Sequence, residues 1–174
     1  MDYFHGKENG NQVQKQQAFI PEGMTIKGDI TVDGDLKFAG NMEGNLNVTG
    51  QLDVYGNLRG QSIKAGSIAI YKGNFIGDIE CVGHMNVPSE AMVIGNINAE
   101  SLDITGAYQG DVNVKEQFTV GENAVVSGKI TAKNISVANG ALCDITVEPN
   151  HTDLDLDNFF ASKKAAAAAK RSVK

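Results

Sequence analysis

A chain of 174 residues, 41% apolar and 21% charged, has room for one domain with its own core. Its 20 glycines follow no strict every-third-residue rule, which excludes collagen, and the Ile, Val and Leu between them exclude wholesale disorder. The net charge of −6 is unevenly spread: residues 161–174 carry +5, residues 1–19 are neutral, and 20–160 carry −11, which argues against a nucleic-acid-binding face on the body.

In chain order, residues 1–19 (MDYFHGKENGNQVQKQQAF) lack the apolar stretch of a secretory signal, and no run in the chain approaches the ~18 apolar residues of a membrane span. A disordered tail on a cytoplasmic protein is expected. Two cysteines fit a reducing compartment.

From residue 20 a repeat takes over. Glycines that open a Gly-x-apolar unit recur at Gly28, Gly44, Gly60, Gly77, Gly95, Gly110 and Gly128, spaced 15 to 18 residues apart. One more step of 15 lands on Cys143, which is followed by the same Asp-Ile-Thr-Val that follows Gly28. Inside the early units apolar residues alternate, as in Ile30/Val32, Leu36/Phe38, Leu46/Val48 and Leu52/Val54, with glycines between the pairs. Period two is the strand signature, and a fixed long period is the mark of a solenoid. Strand, glycine corner, strand and corner give three faces per unit, so each unit closes a triangle and the next stacks ~4.8 Å above it. Glycine suits the corners because the chain must turn sharply there, and the Asp or Asn that often follows is expected to bond back to the turn's own amides. The fold predicted is all-β: a single-stranded parallel β-helix of about seven to eight rungs of 15–18 residues over 20–148. The later units are less regular. Ile63 comes one position late, the corner near Pro88 is longer, and KEQFTV has no glycine corner.

Residues 149–160 are expected to form a terminal rung or cap built on Leu154, Leu156, Phe159 and Phe160. Residues 161–174 form a disordered basic tail that either solubilises the chain or touches phosphates, lipid or another copy's acidic body.

No chemistry-bearing constellation emerges. His5, His84 and His151 share no metal-ligand spacing. Cys81 falls in an inward slot and Cys143 at a corner, four rungs away and too far for a disulfide. Asp153, Asp155 and Asp157 open like a calcium loop, but positions 158 and 164 hold Asn158 and Lys164 where that loop needs glycine and glutamate. No enzyme and no cofactor is predicted. A solenoid is not self-closing, however. Its first and last rungs expose backbone groups and core side chains. Capping and end-to-end assembly both answer that problem, and the repeat alone leaves them open.

The segment IPEGMTIKGDITVDGDLKFAGNMEGNLNVTG, residues 20–50, resembles the opening of bactofilins, bacterial polymer-forming cytoskeletal proteins, and GDVNV, GKITAKNISV and GALCDI continue the likeness over about 20–147. The resemblance implies a right-handed β-helix between flexible tails. It also implies nucleotide-independent, apolar, end-to-end filaments, peripheral to the cytoplasmic membrane, that scaffold cell-wall or morphogenetic proteins. By the same likeness Phe159 or Phe160, with Leu154, Leu156, Phe19 and Ile20 at the chain's two ends, would form the polymerisation contact. Met1, Tyr3 and Phe4 would anchor the N-terminal tail in lipid, although an inert tail fits them equally because Asp2 sits beside them. The competing reading is a non-polymerising β-helix binding module.

Overall fold

The structure is a computed structural model and describes residues 17–149. The described residues form 16 strands joined in one parallel sheet and no helix. The sheet winds as a three-faced solenoid. On the first face Ala18, Leu36, Leu52, Ile68, Met85, Leu102, Phe118 and Ile135 stack in successive registers, which makes eight rungs with steps of 16 to 18 residues. At ~4.8 Å per step the first and last rungs are roughly 34 Å apart. The first strand, Ala18–Ile20, already belongs to rung one.

Alternation drives the packing. On the first face Phe38, Val54, Val87, Ile104 and Val120 form an inward column, each 0% exposed. The second face contributes Met42, Leu58, Phe75, Val93, Tyr108 and Val126, and the third Leu46, Ile63, Ile79, Ile97, Val112 and Ile130. Each side chain sits on its counterpart one rung below, so the core is a stack of layers that touch only their neighbours. Among the described residues no charged side chain is buried.

The spine of glycines marks the corner between the second and third faces. A Cβ built on Gly77 would run into the carbonyl oxygen of Gly60, and one on Gly110 into that of Gly95. Gly77 also has φ +139, a conformation costly for any residue with a side chain. The Asp and Asn after these glycines do not bond back to their own turn. They reach one rung along: Asp29 Oδ1 accepts from the Asn45 amide at 2.9 Å, Asn45 Oδ1 from the Ser62 amide at 3.0 Å, and Asp78 Oδ1 from the Asn96 amide at 3.2 Å. The polar corner thus ties rung to rung rather than closing a local turn.

The irregular units are bulges and one longer corner. Register shifts fall between Val48 and Gln51, between Arg59 and Ser62, which delays Ile63 by one residue, and between Ala99 and Ser101, opposite the glycine-free Lys115–Gln117 stretch. The turn Pro88–Glu90 lengthens the fifth rung.

The expected placement of Cys143 is wrong by two residues. Gly128 pairs with Ile145, and Cys143 pairs with Val126 in the inward column of the second face. The repeated Asp-Ile-Thr-Val suggests the shorter step. The turn at Asn139 and Gly140 instead sets Leu142 beside Val125, and the pairing then runs unbroken to Pro149. A slip of two preserves which side faces inward, so alternation gives no warning of it.

Candidate assembly surfaces at the ends of the solenoid

Among the described residues both ends of the stack are open. The inward residues of rung one, Ala18, Ile20, Ile26, Ile30 and Val32, are half-buried because they have layers on one side only. The change at the other end is sharper. In the first-face column exposure rises from 0% at Val120 to 48% at Val137, and in the third-face column from 0% at Ile130 to 47% at Val147. Cys143 is exposed at the foot of the second-face column, beside outward Leu142. The backbone has the same problem. The amides and carbonyls that point along the axis find partners one rung away inside the stack, and the outermost rungs have a rung on one side only. Among the described residues an apolar, strand-edged layer therefore stands at each end of the stack.

A family model described as bactofilin, polymer-forming cytoskeletal, matches residues 18–81 and again 56–148. The chain belongs to the bactofilin family. The two matches overlap and together run from the first strand through the last rung, because a stack of similar rungs aligns with the bactofilin pattern in more than one place. No curated protein and no solved structure matches the chain. Bactofilins are a polymer-forming cytoskeletal family.

The residues expected at that contact divide. Ile20 is inward in rung one and lies in the open N-terminal end. Phe19 points the other way, 60% exposed on the outside of the first face, where it pairs with Lys37. Leu154, Leu156, Phe159 and Phe160, and the proposed lipid anchors Met1, Tyr3 and Phe4, lie outside the described residues. Sequence reasoning missed Val137, Val147 and Cys143 as end residues, because each looks like any other repeat position until the rungs are counted in register.

Elsewhere the rod has little reactive equipment. Cys81 is buried in the third-face column, its burial pushes the thiol pKa up, and both cysteines are free. Among the described residues Tyr108 is the one core-column side chain that carries a hydroxyl. Its hydroxyl donates to the Gly95 carbonyl at 2.8 Å or the Asp111 carbonyl at 3.1 Å, and burial, with the charges of Asp111 and Asp78, raises its pKa far above the usual tyrosine value. Tyr55 and Tyr71 stack at 4.4 Å on a corner, with the Lys37 ammonium 4.8 Å from the Tyr55 ring. Among the described residues no group of three or more His, Cys, Asp or Glu side chains is arranged to hold a metal, and no helix is long and apolar enough to cross a membrane.

Proposed function

We propose that this bactofilin assembles end to end, without nucleotide, into apolar filaments through its first and last rungs. The supporting observation is the loss of cover at rung eight, where inward columns that are sealed for six rungs become half-exposed together at Val137 and Val147. Covering a half-exposed valine contributes about 1 kcal/mol, and adding a rung satisfies the axial backbone groups at the same time. Leu154, Leu156, Phe159 and Phe160 complete or line the C-terminal contact, and Ile20 with its rung-one neighbours lines the N-terminal one. The role is structural rather than catalytic. The filament is a cytoplasmic scaffold for cell-wall or morphogenetic proteins, held at the membrane by Met1, Tyr3 and Phe4.

Purified full-length protein without nucleotide is the test. Phe159→Arg with Phe160→Arg, and separately Val137→Arg, should give folded, β-rich but short species by circular dichroism and analytical ultracentrifugation. Full-length filaments from both variants would remove the end contact. For the anchor, deleting residues 1–19 should abolish pelleting with liposomes, and unchanged pelleting would defeat it.

A further inference from the structure

Exposed apolar side chains are not scattered over the rod. Val137 and Val147 belong to the open eighth rung, and Val82 to the corner between the third face and the first. The other exposed large apolar side chains among the described residues, Phe19, Met24, Tyr71, Met92, Val125 and Leu142, all lie along one edge, where the first face meets the second. From rung five to rung eight that edge is an aliphatic strip. Met92, Ala107, Val125 and Leu142 follow one another in register, and Met92, Val125 and Leu142 are 38%, 48% and 69% exposed. The strip spans three rung steps, about 14 Å.

The rim of the strip is acidic. Glu90 lies in the rung-five turn and Glu122 in the rung-seven turn, both exposed on the corner side, and Asp144 stands in rung eight on the other side. Among the described residues no lysine or arginine stands on this stretch of the second face or in its corner turns. The three bases of residues 84–149, Lys115, Lys129 and Lys133, lie on the third face or at its ends, against eight acids in the same stretch. An apolar strip with an acidic rim repels an anionic bilayer and the same strip of a second copy. It suits an apolar segment that carries bases and no acid. The chain has one: residues 161–174, ASKKAAAAAKRSVK, hold alanines at 161 and 165–169, five bases and no acid. The segment is within reach. The last strand ends at Pro149 on the far side of the third face, and the 11 residues 150–160 span up to about 36 Å, enough to cross the first face and arrive beside Leu142.

We infer that residues 161–174 fold back along this strip of their own chain, wound as a helix that runs from rung eight toward rung five. The spacings agree. At helical rise Lys164, Ala168 and Arg171 fall about 4.5, 10.5 and 15 Å beyond Ala161. Rungs seven, six and five lie about 5, 10 and 14 Å from rung eight. Ala161, Ala165 and Ala168 share one side of such a helix and settle on Leu142, Val125 and Ala107. Lys164 and Arg171, seven residues apart, share a flank and meet Glu122 and Glu90. A helix this short is marginal in water, so it forms on the strip and not before. Tethering supplies an effective concentration near mM, so a small contact suffices. While docked, the tail hides the aliphatic edge and its bases are withheld from phosphate and lipid. Salt or an anionic competitor releases it, because the ion pairs at the rim are exposed.

Trypsin digestion of the full chain is the test. Cleavage after Lys164 is followed by mass spectrometry in wild type and in the short Val137→Arg form, so that shielding by a filament is told apart from docking. Cleavage tracks the open population, and both should cut about tenfold more slowly than the same proteins carrying Val125→Asp. Sodium chloride at about 1 M should remove most of the difference. Glu90→Lys should also open the tail, and Glu90→Lys with Arg171→Glu should close it again, which an unfolded variant does not do. Equal rates in all these forms overturn the inference. Slowing that is confined to wild-type filaments, is lost on dilution of the short form, or needs anionic vesicles assigns the tail to another copy or to lipid and overturns it too. The polymer reading stands or falls separately, on the sedimentation of wild type against Val137→Arg.

Discussion

Replacing Gly77 with alanine tests the glycine spine. The new Cβ meets the Gly60 carbonyl oxygen, and the backbone at φ +139 is strained for any L side chain. The strain costs about 1–3 kcal/mol. Forcing the carbonyl aside costs about 1–3 kcal/mol more. Restriction of the unfolded chain returns about 0.4–1 kcal/mol. The net loss is about 2–5 kcal/mol, a fall in thermal midpoint of roughly 5–15 °C for a chain of this size. Two controls divide the effect. Gly60→Ala meets the Gly44 carbonyl oxygen, but the Gly60 φ lies outside the left-handed range, so it carries crowding alone and should lose about 0.5–2.5 kcal/mol. Gly83→Ala comes only within 3.2 Å of the Gly66 carbonyl oxygen and should stay within about 1 kcal/mol of wild type. The assay is heat and urea denaturation followed by circular dichroism at matched protein concentration. A Gly77→Ala variant as stable as Gly83→Ala would refute the close rung-to-rung approach at this corner.

The two thiols should behave differently. Cys143 is exposed and should react with a maleimide in the native protein, whereas buried Cys81 should react only on unfolding. Assembly through the C-terminal end should slow the Cys143 reaction, and equal rates in polymer and short species would place the contact elsewhere. Tyr108 gives a pH signature. Its folded pKa lies above its unfolded value near 10, so its contribution is complete below about pH 10 and is lost as pH rises beyond it, because the unfolded chain then releases a proton that the folded chain keeps. Tyr108→Phe should flatten that alkaline slope and cost about 0.5–1.5 kcal/mol at neutral pH for the lost hydrogen bond. An unchanged slope would deny Tyr108 its buried position.

The fold was legible because the repeat leaves few solutions. Alternation at Leu36/Phe38 and Leu52/Val54 defines inward faces, and glycines spaced near 16 define where a rung must approach its neighbour. Register was less legible where corners changed length. Two extra residues at the Asn139–Gly140 turn moved Cys143 from a corner to a core column, and an even slip leaves the hydrophobic pattern untouched. The ends were legible only as a problem. Nothing in the residue types of Val137 and Val147 distinguishes them from Val120 or Val112. Their exposure comes from standing in the eighth rung. One outward column of the second face was hidden for a related reason. Met92, Ala107, Val125 and Leu142 lie 15, 18 and 17 residues apart and line up only after those three different steps are applied in order.

The most direct measurement is cryo-electron microscopy of wild-type protein purified without nucleotide. The account predicts unbranched filaments whose strands stack along the filament axis at ~4.8 Å, with a subunit spacing of roughly 38–43 Å for eight or nine rungs. Persistent monomers at every concentration, or assemblies whose solenoid axes lie across the filament, would contradict it.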